Sequence, residues 1–307
     1  MKVRKAFQSS ENKDVVRRKW DLLLISEWRE IKAQNLTYLG LPGPELRDLI
    51  DWQDYLARER TAVEGYYAAG KSNIDPDIQQ RILTNAMALG GNFSSGFQLL
   101  RGDVESLILT GHDMNGAFPQ CSKSRGEYWF YDLINLDFCG GVGYESKRGI
   151  SRRISALKKI FERQCGHDFL LLLTFNVRST VGKQIEEYLD DAQARFGCGN
   201  PRFAQLLNAH RAQRGNKMSL VLKAAIPCII QQFSEPHGFA VRCYPPVEYT
   251  GTGRAVLVHF AFQCMHINRS GFPVHSDRFT FQSLQEILEL PLMGIRDGEI
   301  IALEEFK

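Results

Sequence analysis

Two kinds of apolar spacing alternate along this chain. Unbroken apolar runs at residues 36–41 (LTYLGL), 61–64 (TAVE), 97–100, 128–136 and 169–175 (FLLLLTF) predict strands, and the last two read as strands buried on both faces. Between them, apolar residues return every three or four positions. That spacing predicts helices over 14–34 (Val16, Trp20, Leu23, Leu24, Trp28, Ile31), 46–56 (Leu46, Leu49, Ile50, Leu56), 75–90, 104–109, 148–163 (Ile150, Ile154, Leu157, Phe161) and 181–196. Strands alternating with helices, then runs at 239–244 and 254–265 flanking the turn-rich P-P-V-E-Y-T-G-T-G, predict an α/β fold. Its sheet is doubly wound and mostly parallel, closed by an antiparallel hairpin, with helical additions at about 197–237.

The same pattern suggests a division into an N-terminal basic amphipathic helix (1–35), a Rossmann-like domain (36–267) and a C-terminal extension (268–307). The extension is read as a strand at 278–281, a helix at 284–290 and a final acidic strand.

Composition narrows the function classes without choosing one. With 307 residues, 44% hydrophobic and 24% charged, the chain reads as an ordinary soluble protein, expected in the cytoplasm. A net charge of +3 is too slight to predict a nucleic-acid partner by itself. The charge is uneven, though: Lys2, Arg4, Lys5, Lys13, Arg17, Arg18 and Lys19 face only Glu11 and Asp14 in the first twenty residues. Seven scattered cysteines without C-x-x-C spacing point to reduced thiols and no metal site. No signal peptide and no stretch of eighteen apolar residues is present, so no membrane span is expected.

Candidate chemistry gathers at strand ends, where open α/β sheets bind ligands. The run YWFYDLINLDFCGGVG (128–143) ends in Asp137 and Phe138, then Gly140, Gly141 and Gly143. The first strand ends in the turn Gly40-Leu41-Pro42-Gly43, the second in Glu64, the third in Arg101-Gly102-Asp103-Val104, the fifth in Asn176-Val177-Arg178. Asp103 also suits a helix cap. Residues 110–127 show no periodicity and read as a lid or target-binding loop. Along the helix predicted at 148–163, Arg148, Arg152, Lys159 and Arg163 form a basic stripe suited to a phosphate backbone.

Over roughly residues 36–267 this order of elements resembles the class I S-adenosylmethionine-dependent methyltransferases. The resemblance implies that Gly40, Pro42 and Gly43 hold the methionine part of the cofactor, Glu64 the ribose, and Gly102, Asp103 and Val104 the adenine. It places the reacting amine at Asp137 and Phe138, with Asn176 or Arg178 lining the far side of the crevice. The fourth station, D-L-I-N-L-D-F-C-G-G, is similar to the D-P-F-G type of tRNA guanine-N2 methyltransferases. It implies an exocyclic amino group of a nucleic-acid base as the acceptor. The chain departs from the family pattern at Tyr38, which stands where an acid is usual, at Pro42, and in lacking a proline after Asp137. These departures also fit a non-catalytic subunit of the same fold that binds nucleic acid or a protein partner. A nicotinamide-dependent oxidoreductase is disfavoured by the absence of G-x-G-x-x-G.

Overall fold

Ser10 caps helix α1 (Glu11–Val15) by accepting from the Lys13 backbone N–H. A π-helical turn (Val16–Asp21) and α2 (Leu22–Lys32) continue it, so the helix predicted over 14–34 is present with one wide turn inside it. The structure is a computed structural model that describes residues 10–64, 76–88, 96–121, 128–138, 140–142, 151–177, 182–214, 217–267 and 282–303.

The chain then forms β1 (Leu36–Gly40), α3 (Arg47–Asp51), β2 (Leu56–Glu64), α4 (Pro76–Ala88), β3 (Phe97–Arg101), α5 (Val104–Thr110) and β4 (Leu133–Asp137). It continues with α6 (Arg152–Gln164), β5 (Phe169–Asn176), α7 (Lys183–Phe196), α8 (Pro201–Arg211), α9 (Met218–Ser234), β6 (Phe239–Cys243), β7 (Val247–Thr250) and β8 (Val256–His266). Last come α10 (Leu284–Glu289), β9 (Met293–Arg296) and β10 (Glu299–Ala302).

The strands form one sheet in the order β10-β9-β7-β8-β5-β4-β1-β2-β3, with β6 also on β8. From β3 to β5 every pairing is parallel; β8 is antiparallel to β5, and β6 and β7 are antiparallel to β8. This is the mostly parallel, doubly wound sheet with a closing antiparallel hairpin that the apolar pattern predicts, in the order of a Rossmann-like methyltransferase fold.

Alternate residues of each strand serve opposite faces. Leu39, Ile134, Leu136, Leu171 and Leu173 pack with α5, α6, α7 and α9. Tyr38, Leu133, Leu170 and Leu172 pack under α2, α3 and α4, where Trp28 and Trp52 are fully enclosed. The α2 helix is pinned at the amino ends of the strands. Trp28 Nε1 donates to the Asp132 carbonyl at 2.8 Å, and the Lys32 ammonium stands 3.2 Å from the Asp132 carboxylate.

Three elements differ from the sequence reading. The helix expected over 46–56 is one short piece. Leu46 sits at φ 49° before it, and Trp52 ends it by burying its indole against the Arg17 carbonyl (3.1 Å), so Leu56 opens β2 instead. The P-P-V-E-Y-T-G-T-G segment is not all turn: Pro245 and Pro246 interrupt pairing, after which β7 resumes on β8. In α2, Leu23 is 62% exposed, whereas Ile25, one step round, is fully buried. The strand expected at 278–281 lies outside the described residues. Among the described residues no helix is long and apolar enough to cross a membrane.

Candidate functional site

Connections from β1 and β4 leave in opposite directions, one toward β2 and the other toward β5. Two neighbouring parallel strands that part in this way open a crevice at their carboxyl ends. Gly40 pairs with Asn135 there, and the Leu41 N–H donates to the Asn135 carbonyl at 3.1 Å. Because β4 runs two residues further, Asp137 projects past the end of β1. Gly40 has no room for a side chain: a Cβ would lie 2.7 Å from the Asn135 carbonyl and closer still to the Tyr38 hydroxyl. After Gly40 the chain turns through buried Pro42 and Gly43 at φ 71°.

Asp137 does not stand alone. The N-terminal helix lies over this end of the sheet and lowers two cations into the crevice. Lys13 pairs with the Asp137 carboxylate. Arg17, 4% exposed, donates through Nε to Asp48 at 2.6 Å and reaches Asp14 with Nη1. Asp48 also accepts from Asn135 Nδ2 at 2.8 Å, which ties α3 to β4. The neighbouring strands add Thr174, Tyr249 and His259 to the same small cavity. His259 Nδ1 lies 2.9 Å from Thr174 Oγ1. Its Nε2 stands 2.8 Å from Asp21 Oδ1, a close contact that lacks hydrogen-bond geometry.

Electrostatics follow from this packing. Burial would lower the Lys13 ammonium, but the carboxylates of Asp137 and Asp48 outweigh it and raise its pKa above the ordinary lysine value. Burial pushes the Tyr249 phenol well up, and the charges of Asp137 and Asp21 act in the same direction. The π-helical turn that carries Arg17 widens the helix where it crosses the crevice, and such turns recur at functional sites.

The remaining predicted site residues are distributed as follows. Glu64 ends β2 opposite Arg101, so its backbone lies beside Gly102-Asp103; its side chain is outside the described residues. Gly102 adopts φ 134°, open only to glycine, and turns the chain into α5. Asp103 caps α5 through the Ser106 N–H (3.0 Å) and stands 3.6 Å from Arg152, while Val104 is buried. Phe138 is 3% exposed: one face stacks on Phe175 (5.5 Å, 12°), and the Arg153 guanidinium lies over the ring at 4.4 Å. The structure therefore offers a base no open face of Phe138. Asn176 ends β5, its N–H donating to the Gly140 carbonyl at 3.2 Å.

Of the basic stripe, Arg152 is largely exposed and Lys159 pairs with Glu162. Arg163 points inward, donating to the carbonyls of Ile108 and Leu109 at the end of α5, and is only 4% exposed. It is a structural clamp in this conformation, not part of a surface stripe. Arg148 and Arg178 lie outside the described residues. In the loop read as a lid, Asp113 accepts from the N–H groups of Arg101, Asn115 and Ala117, which folds 113–117 back onto β3.

Asp48, Asn135, Thr174, Tyr249 and His259 were not singled out by sequence reasoning, and Lys13 and Arg17 stood out only as members of the basic N-terminus. A signal existed for some of them. Asn135 and Asp137 in β4, and Thr174 and Asn176 in β5, are polar at every second position inside otherwise apolar strands, so one sheet face turns polar near its carboxyl end.

Sheet order and crevice together define a Rossmann-like α/β fold with a cleft at its switch point. The chain belongs to the PP_RS20740-like family, whose model matches residues 12–195, from the helix that carries Lys13 through α7. No curated protein matches the sequence. Among solved structures, a Pyrococcus horikoshii protein described as a candidate RNA methyltransferase is 13% identical over 84% of each chain (TM-score 0.39). The methyltransferase domain of bacterial CtHen1 is 13% identical over 81% of this chain and 98% of that one (TM-score 0.40). A SAM-dependent methyltransferase from Agrobacterium tumefaciens is 11% identical over 80% and 62% (TM-score 0.40). The fold follows from the sheet order itself.

Proposed function

We propose that the protein is an S-adenosylmethionine-dependent methyltransferase that acts on an exocyclic amino group of a nucleic-acid base. The observation that supports this most is the carboxylate of Asp137 at the end of β4, across the switch point from the glycine turn of β1. The chain's own groups suit such a cofactor. In this reading the turn from Gly40 to Gly43 takes the methionine part, and Glu64, which ends β2, takes the ribose hydroxyls. Gly102, Asp103 and Val104 follow the end of the adjacent strand β3, whose last residue Arg101 pairs with Glu64. When bound, the cofactor supplies an electrophilic methyl group on a sulfonium.

The protein's part is alignment more than acid–base chemistry. Asp137 accepts an N–H of the target amine and holds its lone pair toward the methyl group. Asn176 lines the β5 side. Phe138 stacks on the base only once Arg153 has withdrawn from its ring. Arg152 and Lys159 are the described members of the basic stripe that lie near the surface, and they would meet a phosphate backbone. The similarity of the Asp137 motif to guanine-N2 enzymes supports a purine amine as target.

Asp137→Asn is expected to reduce methyl transfer by at least about a hundredfold, a change in transition-state stabilisation of roughly 2.7 kcal/mol, with cofactor affinity unchanged. Transfer of labelled methyl to RNA or DNA, read beside calorimetric cofactor binding, checks this. Full transfer by the variant would remove Asp137 from the mechanism. A second reading, a non-catalytic nucleic-acid-binding subunit of the same fold, draws support from the Lys13–Asp137 pair and the covered Phe138, which leave the acceptor side closed.

A further inference from the structure

Lys13 is the least structurally necessary member of the crevice. Helix α1, which carries it, buries no residue of its own. The helix is fixed further along, by Arg17 on Asp48 and by Leu24, Ile25 and Trp28 in the core. Beyond that, α1 is tied to the body by hydrogen bonds from Ser10 and Asn12 to the Thr250 carbonyl, at 3.5 and 3.2 Å. The firm attachment begins with the π-helical turn at Val16–Asp21, which carries Arg17 and follows directly on the lightly held α1. Yet the Lys13 side chain reaches across 124 positions of sequence to place its ammonium on Asp137.

The partner it finds there is informative. An ammonium presents N–H donors to a carboxylate, as an amino group awaiting methylation does. Besides Asp137 the wall holds the Arg17–Asp48 pair and Asp21, and Asn135, Thr174, Tyr249 and His259 add polar groups that can hydrogen-bond to such a donor. We infer that the slot at Asp137 is an amine-recognition site, and that Lys13 is its built-in occupant, which an incoming amine must displace. The inference rests on the reading of Asp137 as the acceptor carboxylate. It makes α1 a pseudosubstrate strap hinged at the π-helical turn: while Lys13 is seated the acceptor side is shut, and a target amine and Lys13 exclude each other.

The missing side chain can be supplied as a free molecule. Lys13→Ala removes the atoms of n-propylamine beyond Cβ, so n-propylammonium chloride is the probe and 1-propanol the uncharged control. Propylammonium is expected to raise the melting temperature of Lys13→Ala saturably, by about 3 °C at roughly tenfold excess over its dissociation constant. It should leave Lys13→Ala/Asp137→Asn unmoved, and 1-propanol should leave both unmoved. In the wild-type protein, high propylammonium should speed amide exchange at residues 11–15 while the exchange of α2 stays constant. No rise in Lys13→Ala, an equal rise in the double variant, or an equal rise with 1-propanol would overturn the inference. So would unchanged exchange of α1 at an amine concentration that saturates the alanine variant. None of these readouts uses the cofactor, so failure of the amine site and failure of cofactor binding are seen separately.

Discussion

Asp132→Ala is expected to destabilise the fold by about 3–5 kcal/mol, the range for removing one partner of a buried, hydrogen-bonded ion pair. The Asp132 side chain is fully buried beneath the amino end of β4. It accepts from the Thr37 N–H (3.0 Å) and hydroxyl (2.9 Å), and lies 3.0 Å from His167 Nε2 and 3.2 Å from the Lys32 ammonium. One carboxylate thus joins the end of α2, β1, β4 and the turn before β5. Without it, the Thr37 N–H loses its carboxylate and the Lys32 ammonium keeps only the Asp168 carbonyl (3.3 Å) as a hydrogen-bond partner among the described residues. Burial alone would raise its pKa. The His167 hydrogen bond, the Lys32 charge and the Thr37 N–H together outweigh burial and hold it below the usual carboxylate range. A carboxyl depressed on folding contributes stability that is fully present above its unfolded pKa of about 3.9. That contribution is lost as pH falls toward the folded value. Urea unfolding at pH 7 and across the acid range checks both parts: wild type should lose stability below about pH 4, and Asp132→Asn should lose less over that window.

Arg17→Ala should be comparably severe, about 3–5 kcal/mol, but at the opposite end of the sheet. Its guanidinium serves Asp48 through Nε and reaches Asp14 and Asp51 through Nη1, and these carboxylates raise its pKa against the opposing effect of burial. Removing it leaves the Asp48 carboxylate buried with Asn135 as its remaining hydrogen-bond partner. Arg17→Lys should recover little, because one ammonium cannot reproduce two directed arms of a planar fork. The same denaturation series reads this out. A loss under 1 kcal/mol would mean that the helix is held by its apolar face alone.

The sequence carried the architecture because period-two and period-3.6 patterns report burial directly. The runs at 36–41 and 169–175 appear in the sheet as β1 and β5, whereas only the second half of the run at 128–136 does, because β4 begins at Leu133. The crevice was half legible. Asp137 stood out as an acid ending an apolar strand, and Gly40 as a glycine ending another. Lys13 and Arg17 read only as part of an uneven basic N-terminus; they meet the chain's own Asp137, Asp48, Asp14 and Asp51. Nothing in local spacing pairs residue 13 with residue 137, since that contact exists only once the N-terminal helix has packed on the sheet. Arg163 misled for a related reason. Helical spacing placed it on the basic face of α6, but α5 lies against that face, and its terminal carbonyls take the guanidinium. Phe138 likewise looked free for a base until Arg153 and Phe175 covered it.

The most direct test of the methyltransferase reading is calorimetric titration of the intact protein with S-adenosylmethionine, repeated with Glu64→Ala and with Asp103→Ser, which keeps a cap on α5. Micromolar binding, weakened at least tenfold in both variants, is the predicted result. No binding by the wild-type protein, or binding untouched by either substitution, would contradict the assignment of this crevice as a cofactor site.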